Sequence, residues 1–430
     1  MSVDVMNPVA VTPARVDVCR VAHFTDTYLP RRDGVVASLQ TLIAGLEAQG
    51  CGGLTVVPRH PSLADRPGLL TIGSIPCGVA NLRLGTWPMA RHVNRIAAWG
   101  PQLIHVHTPG PVGLLGVFTA RRLGLPLVHT YHTDLHAYAD AYRVPADALK
   151  ILFELYALRL GSRPECEPRT GSRRHAILDA GNRLLLGDAD AVIVPTPAVL
   201  SRASLPVPPE RLFLVPAAVP QRMPSPADIA DFRARHGISA SDRMVLFVGR
   251  VNREKGIELL LPAFARVAAR FPQTKLVLIG AVYERRWLER LLAKHDLHSR
   301  VVITGQLAPD TVAAAYGGAE VFAFPSRTDT QGLVLQEAAL AGVPSVLADP
   351  SLYRTGALGD AAVLALGEGP EAYAEALCRL LEDPVAARDL GQRARERALA
   401  HTPEGYATKM REVYGLGFFR RSRAFGVTPG

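Results

Sequence analysis

The fold class the sequence predicts is α/β: two doubly wound domains facing a cleft. Three observations predict it. Short apolar runs alternate with helical patterns, which suits a parallel sheet covered on both faces. That alternation breaks near the middle of the chain and starts again. The chain has 430 residues, 48% of them apolar, which is ample for two cores and long for one.

In the first half, VDVCRVAHFTD reads as a strand with a polar end. VVASLQTLIAGLEAQG is an amphipathic helix closed by Gly50. LTVVP, LIHVH, LVHTYHT and AVIVPT are further strands, and PVGLLGVFTARRLG is a crossover helix between two of them. The second half restarts with the strand MVLFVGR and the helix GIELLLPAFARVAARF. KLVLIG, VVITG, VFAFPS and PSVLA follow as strands, with helices at Glu284 to His295, near Ala313 and after Gly332. EAYAEALCRLLEDPVAARDLGQRARERALA supplies terminal helices. The boundary is placed in PQRMPSPADIADFRARHGISASD, Pro220 to Asp242. The tract Gly161 to Arg174, GSRPECEPRTGSRR, breaks the rhythm and reads as an inserted surface loop, with an acceptor-side lid as the alternative.

Composition narrows the function classes. The 37 glycines and 34 prolines are spread along the chain and form no repeat. Cysteines at 19, 51, 77, 166 and 378 lack metal-ligand spacing, and an odd count without a secretion signal suggests reduced thiols in a cytoplasm. The first eighteen residues lack the basic head and apolar core of a signal peptide. No apolar run is long enough to span a membrane. The formal net charge of +9 suits nucleic acid, an anionic membrane or a phosphate-rich substrate. No aromatic-basic stacking motif supports nucleic acid. The tail FFRRSR (Phe418 to Arg423) is read as a solvated surface, with a membrane-surface anchor as the alternative.

Polar knots stand where apolar strands end, which is where open parallel sheets bind ligands. In FVGRVNREKG, Gly249 allows a tight turn and sets Arg250 and Lys255 at the start of a helix. Two cations beside unpaired helix N–H groups suit an anion such as a diphosphate. The Walker spacing is missing, as is an early G-x-G-x-x-G, which weakens a nicotinamide-cofactor reading. In PSRTDTQGLVLQEAALAG, Asp329 lies in the knot and Glu337 eight residues on, within an apolar helix. A charge there should be paired or liganded, and a carboxylate accepts two hydroxyls at once, as sugar recognition needs. The amides after Thr330 could hold an oxygen at the helix start. In HTYHTD, His132 is expected to face the cleft with a near-neutral pKa, while His105 and His129 read as core or hydrogen-bonded histidines. The histidines lack metal-ligand spacing, so no metal is expected. In TDTYLPRRDGVV, Pro30 and Gly34 shape a loop, and Val35 opens a helix pointing into the cleft.

Taken in order, DTYLPRRDGV, IHVHTPGPVG, HTYHTD, VGRVNREKG and PSRTDTQGLVLQEAALAGVPSV resemble family 4 of the retaining nucleotide-sugar glycosyltransferases, over roughly residues 17 to 400. The resemblance implies two Rossmann-like domains of the glycosyltransferase B architecture. Residues 1–222 would form an acceptor-binding domain and residues 223–402 a nucleotide-sugar-binding domain. Residues 403–430 would cross back to the first. By the same resemblance, Arg250 and Lys255 match the basic pair on the donor diphosphate. Asp329 and Glu337 match the two acidic ends of the glutamate-x7-glutamate motif, by the transferred sugar and the ribose. His132 matches the histidine near the reacting centre and Gly34 the loop glycine near the diphosphate. Gly249, Gly280, Thr330, Gln331 and Gly332 complete the donor set, and Asp134, Tyr138 and Tyr142 are the acceptor candidates. Asp329 is one methylene shorter than the usual glutamate, and Gln331 stands where many relatives carry Phe. LVPAAVP replaces the usual Pro-Asn-Gly-Val stretch, and Val282, Tyr283 and Glu284 replace the residues near the nucleobase.

The implied reaction moves a sugar from a UDP- or GDP-linked donor to a hydroxyl of a lipid, polyol or aminocyclitol-like acceptor, with retention. No cofactor is expected, because cationic side chains and helix ends would neutralise the leaving group. The expected partners are the nucleotide sugar, the acceptor and the edge of an anionic membrane, not nucleic acid. An epimerase or phosphorylase on the same architecture, or a non-catalytic carbohydrate-binding protein, are the competing readings.

Overall fold

A computed structural model describes residues 18–77, 83–132, 134–136, 145–162, 172–202 and 205–424. The first half contains β1 (Arg20–Phe24), α1 (Gly34–Ala48), β2 (Gly52–Pro58), β3 (Leu69–Ile72), β4 (Ser74–Pro76), β5 (Arg83–Gly85), α2 (Ala90–Trp99), β6 (Leu103–Val106) and α3 (Pro111–Leu123). It continues through β7 (Leu127–Thr130), α4 (Ala146–Leu160), α5 (Arg173–Leu186), β8 (Ala191–Val194), α6 (Pro197–Arg202) and β9 (Leu212–Leu214). The second half contains α7 (Pro226–Arg235), β10 (Arg243–Val248), α8 (Ile257–Arg270), β11 (Thr274–Ile279), α9 (Arg285–Lys294), β12 (Val301–Gly305), α10 (Pro309–Gly317) and β13 (Val321–Phe324). There follow α11 (Leu333–Leu340), β14 (Ser345–Leu347), α12 (Pro350–Thr355), β15 (Val363–Leu364), α13 (Pro370–Glu382), α14 (Pro384–Leu399) and α15 (Pro403–Ala424).

Two parallel sheets organise these elements. The first runs β3-β2-β1-β6-β7-β8-β9 and the second β12-β11-β10-β13-β14-β15. Each order reverses at a central switch point, between β1 and β6 and between β10 and β13, which is the Rossmann-like plan. Strands such as LIHV, LVHT, AVIV and VFAF are buried at every position. Helices on both faces force that uniform burial, so the strands read as continuous apolar runs rather than alternating ones. LVHTYHT keeps strand geometry only to Thr130, after which the chain turns into the cleft loop. The hairpin β4-β5 has no counterpart in the sequence reading.

The segment expected as a boundary is partly helix. Ser225 and Asp228 form a reciprocal capping box, with Pro226 in the first turn, and together they start α7. Phe232 of α7 is buried in the core under the second sheet. The chain therefore enters its second half with α7, which starts at Pro226, 17 residues before β10 at Arg243.

The end of the chain packs back on the first half. Tyr406, Met410 and Tyr414 of α15 are buried with Val21, Leu42, Leu103 and Val128 of the first half. The Tyr406 hydroxyl lies 3.1 Å from Ser38 Oγ, and the Tyr414 hydroxyl 2.8 Å from His105 Nδ1. The basic tail is part of this seam. Arg420 donates to the carbonyls of Asp190 (3.0 Å) and Glu210 and lies over the Phe213 ring, and Phe418 packs on the same cluster. Phe418 and Arg420 are thus committed to the first half, where a solvated tail or a membrane anchor was expected. No helix among the described residues is long and apolar enough to cross a membrane.

Candidate active site

The loops after β1, β10, β11 and β13, with the N-terminal turn of α1, enclose a cavity of about 860 Å³ between the two sheets. Arg31, Arg32, Asp33 and Gly34 line it from the first half. Gly249, Arg250, Lys255, Gly280, Asp329, Gly332 and Glu337 line it from the second. Seven of the ten expected donor residues therefore share one wall although 88 positions separate the first and last of them in the second half.

Backbone geometry holds that wall. The loop after β10 and the loop after β11 approach so closely that a Cβ on Gly280 would stand 1.9 Å from the Gly249 carbonyl oxygen. Gly280 also has φ 146°, outside the range L side chains adopt readily. The glycine is required for this contact, which brings Gly249 and Arg250 to the cavity. Gly256, at φ 79°, starts α8 against the Pro325 carbonyl, where a Cβ would lie at 2.5 Å. This places the β10 and β13 loops side by side at the switch point.

The charged groups on the wall interlock. Lys255 Nζ donates to Asp329 Oδ1 at 2.7 Å and lies 3.6 Å from Glu254 Oε1, while Arg250 donates to Glu254 at 3.0 Å. Burial pushes the Asp329 carboxyl up, but the Lys255 ammonium outweighs it and holds the group below its ordinary value. Among the described residues Glu337 has the Tyr316 hydroxyl as its close partner, donating at 3.1 Å, and burial raises its carboxyl to about 7 against the pull of Tyr316 and Arg222. A carboxyl held so high on the wall of a cavity is a candidate ligand contact. The sequence reading missed Glu254, whose two ion pairs are local, to Arg250 and Lys255, and so look like ordinary charges at a helix start. It missed Tyr316 because its partner Glu337 lies on another helix.

On the opposite wall Asp33 caps α1, accepting from Val36 N (3.1 Å), Thr27 Oγ1 (2.8 Å) and Arg31 Nε (2.7 Å). Burial alone would raise its carboxyl, yet Arg31 and these donors bring it below its ordinary value. The helix accordingly begins at Gly34 rather than Val35. Asp26, also unremarked in sequence, accepts from the amides of Val112 (2.8 Å) and Gly113 (3.2 Å) and from Thr108 Oγ1, tying the β1 loop to the start of α3.

Four expectations change. His132 does not line the large cavity; its ring is half-buried in a small recess with His107 and His129. Burial lowers it to about 4 instead of leaving it near neutral, with the Asp33 charge acting the other way. Thr330 spends its hydroxyl on the His132 carbonyl (2.9 Å), and its own carbonyl accepts from Thr196 Oγ1 (2.5 Å). Gln331 pairs its amide with the main chain of Ala217, donating at 2.7 Å and accepting at 3.1 Å. Thr330 and Gln331 therefore bind the two halves together, where donor contacts were expected. Asp134 is buried and accepts from His136 N at 3.1 Å, so its carboxylate is turned into the loop rather than toward an acceptor. Tyr138, Tyr142 and residues 163–171 of the inserted loop lie outside the described residues.

Five histidines gather behind this wall. His23, His105 and His107 bring ring nitrogens within 4.8 Å of one another, all buried. His105 places Nδ1 against Tyr414 and Nε2 against Thr130 Oγ1 (2.8 Å), and His107 bonds His23 and His132. His129 is buried in the core, as expected. Among the described residues no carboxylate joins His23, His105 and His107 to offset a dication, and His105 has both nitrogens engaged by Tyr414 and Thr130.

Comparison with known proteins adds to this geometry. The model for Glycosyltransferase Family 4 matches residues 32–221, and that for Glycosyl transferases group 1 matches residues 228–397. The chain is 30% identical over 337 residues to a D-inositol 3-phosphate glycosyltransferase of Nocardia farcinica, covering 73% of this chain and 68% of that one. It is 26% identical to an alpha-monoglucosyldiacylglycerol synthase of Streptococcus pneumoniae, covering 92% and 85%. Among solved structures it is similar in fold to the HepE protein of Anabaena in complex with UDP-glucose. That match has a TM-score of 0.67 and 16% identity, and covers 91% of this chain and 98% of the other.

Proposed function

Starting from a chain that belongs to glycosyltransferase family 4 and is a glycosyltransferase of the B architecture, we propose that it moves a hexosyl group, with retention, from a nucleoside diphosphate sugar to an acceptor hydroxyl. One observation carries the proposal. Arg250, Lys255, Asp329 and Glu337 share a wall of a cavity large enough for a nucleotide sugar and closed opposite by the N-terminal turn of α1. Arg250 and Lys255 would take up the charge that grows on the diphosphate as its bond to C1 breaks. Their hold on Glu254 and Asp329 keeps both cations aimed at the cavity before the donor enters. Asp329 would accept hydroxyls of the transferred sugar, and Glu337 those of the ribose. The acceptor oxygen would attack C1 on the face the diphosphate leaves, and its proton would pass to a diphosphate oxygen. Charge neutralisation falls to side chains and helix ends, so the reading calls for no metal.

The test is replacement of Lys255 or Arg250 by Ala, with donor turnover and the unfolding midpoint measured on the same samples. Turnover is expected to fall roughly 100- to 1000-fold while folding persists. Undiminished turnover in both variants would sink the diphosphate assignment.

Among acceptors we favour a lipid. The helix α4 exposes Ile151, Leu152, Leu155 and Leu158, the last at 78%, as an apolar stripe left uncovered among the described residues. Lys150 and Arg173 lie beside it, each paired with a carboxylate of α4, Glu154 and Asp147. The apolar stripe suits a membrane surface, and the similarity to a protein named as an alpha-monoglucosyldiacylglycerol synthase agrees with it. Co-sedimentation with anionic vesicles that weakens in Leu155→Ser/Leu158→Ser is the expected result. Equal binding of the variant, or none by the native chain, would favour a soluble polyol.

A further inference from the structure

His132 stands at the end of a chain of imidazoles. His23 Nδ1 lies 3.1 Å from His107 Nε2, and His107 Nδ1 lies 3.2 Å from His132 Nε2, with the last two rings stacked at 23°. His23 and His107 are almost wholly buried. Burial lowers His23 to about 3, His107 well below its ordinary value and His132 to about 4, so all three rings are neutral at neutral pH. A neutral imidazole has one N–H and one lone pair. Two hydrogen bonds in series through three such rings therefore allow only two arrangements.

In the first, His23 Nδ1–H donates to His107, His107 Nδ1–H donates to His132 Nε2, and His132 carries its proton on Nδ1. In the second, both bonds reverse and His23 must carry its proton on Nε2. That nitrogen is buried and has no partner among the described residues. An orphaned buried N–H is the costlier defect, because buried donors go unpaired more rarely than acceptors do. The dead end at His23 thus selects the first arrangement.

We propose that His107, with the buried dead end at His23 behind it, is a positioning residue that fixes His132 as the Nδ1–H tautomer. His132 then carries a hydrogen-bond donor, not a lone pair, on the nitrogen the series leaves over, within the recess it shares with His107 and His129. A donor suits a substrate oxygen, a sugar hydroxyl or a phosphate, that gains negative charge as transfer proceeds. This inference rests on the proposed function only for the reaction that the donor would serve; the tautomer itself follows from the imidazole chain. The neighbouring His105 is engaged by Tyr414 and Thr130 and takes no part in the series.

The experiment is long-range ¹H–¹⁵N spectroscopy of the full chain with ¹⁵N-labelled histidine, His132 being assigned by its loss in His132→Asn. The expected spectrum shows His132 protonated on Nδ1. His107→Leu, which removes the donor to Nε2, should shift it toward the Nε2–H form and lower kcat on the order of tenfold with KM little changed. His107→Asn, which offers an amide N–H near the Nδ1 position, should restore both. His23→Leu should leave the proton on Nδ1, because the dead end then moves to the buried His107 Nε2, which keeps its lone pair. A His132 protonated on Nε2 in the native chain overturns the proposal, and so does an Nδ1–H signal unmoved in His107→Leu. Should His107→Leu fail to fold, the native spectrum and His107→Asn decide it. Full turnover in His132→Asn would retire the placement of His132 at the reacting centre and leave the tautomer assignment standing.

Discussion

Replacing Glu337 by Gln is expected to make the free protein more stable at pH 8 while weakening its grip on a nucleoside diphosphate. The fold lifts this carboxyl from 4.5 to about 7, burial being the main cause. A raised carboxyl pKa means that the folded chain holds the proton more tightly than the unfolded one. Its contribution to stability is present in full below about pH 4.5 and is lost as pH rises through about 7. At roughly 1.4 kcal/mol per pKa unit the loss by pH 8 is on the order of 3 kcal/mol. Gln is uncharged throughout, fills nearly the same volume and can still accept from Tyr316. Thermal unfolding at pH 5 and pH 8 is the assay. The native chain should lose stability between the two, and the variant should lose less, with a gap of up to about 10 °C at pH 8. Calorimetric titration with UDP and GDP supplies the other arm, since on the proposed function two ribose hydroxyls would lose their charged acceptor. Coincident unfolding curves at pH 8, or a variant destabilised equally at both pH values, would refute the burial argument.

Two further substitutions test the frame. Gln331→Ala removes both hydrogen bonds to the buried Ala217 main chain and should lower stability by about 2 kcal/mol, with more open conformers in small-angle scattering; an unchanged scattering profile would deny the amide its bridging role. Gly280→Ala drives a Cβ into the Gly249 carbonyl and should cost more than about 2 kcal/mol and most of the affinity for nucleoside diphosphate, read by urea unfolding and titration. A variant of native stability and affinity would show that the two loops need not touch.

The two sheets were legible in the sequence because fully buried parallel strands leave unbroken apolar runs, as in LIHV and VFAF. Arg250, Lys255, Asp329 and Glu337 were legible because each polar knot follows such a run directly. Most of what stayed hidden depends on contacts between segments remote in sequence. Glu254 is the exception: its partners Arg250 and Lys255 are neighbours in the chain, but only the fold turns all three to one wall. Gln331 looks like a ligand contact until Ala217 is found opposite. His23 sits mid-strand, and only the register of β1 against β6 sets it beside His105. The expectation for His132 failed for a related reason: an ordinary pKa presumes solvent, and four other imidazoles replace it here.

The return of α15 to the first half has a consequence for the order of events during synthesis. Tyr406, Met410 and Tyr414 finish a core whose other members, from Val18 to Ala218, have already emerged from the ribosome. Nearly two hundred residues separate β9 from α15, and at ordinary elongation rates they take on the order of 10–40 s. Throughout that interval the seam beside β1, β6 and β7 is unsealed, and His105 lacks its tyrosine. The second half can close around its own sheet in the meantime. The first half, begun earlier, is completed last, so a stall or early stop near residue 400 would release a chain with a finished donor-side unit and an open apolar flank for chaperones to find.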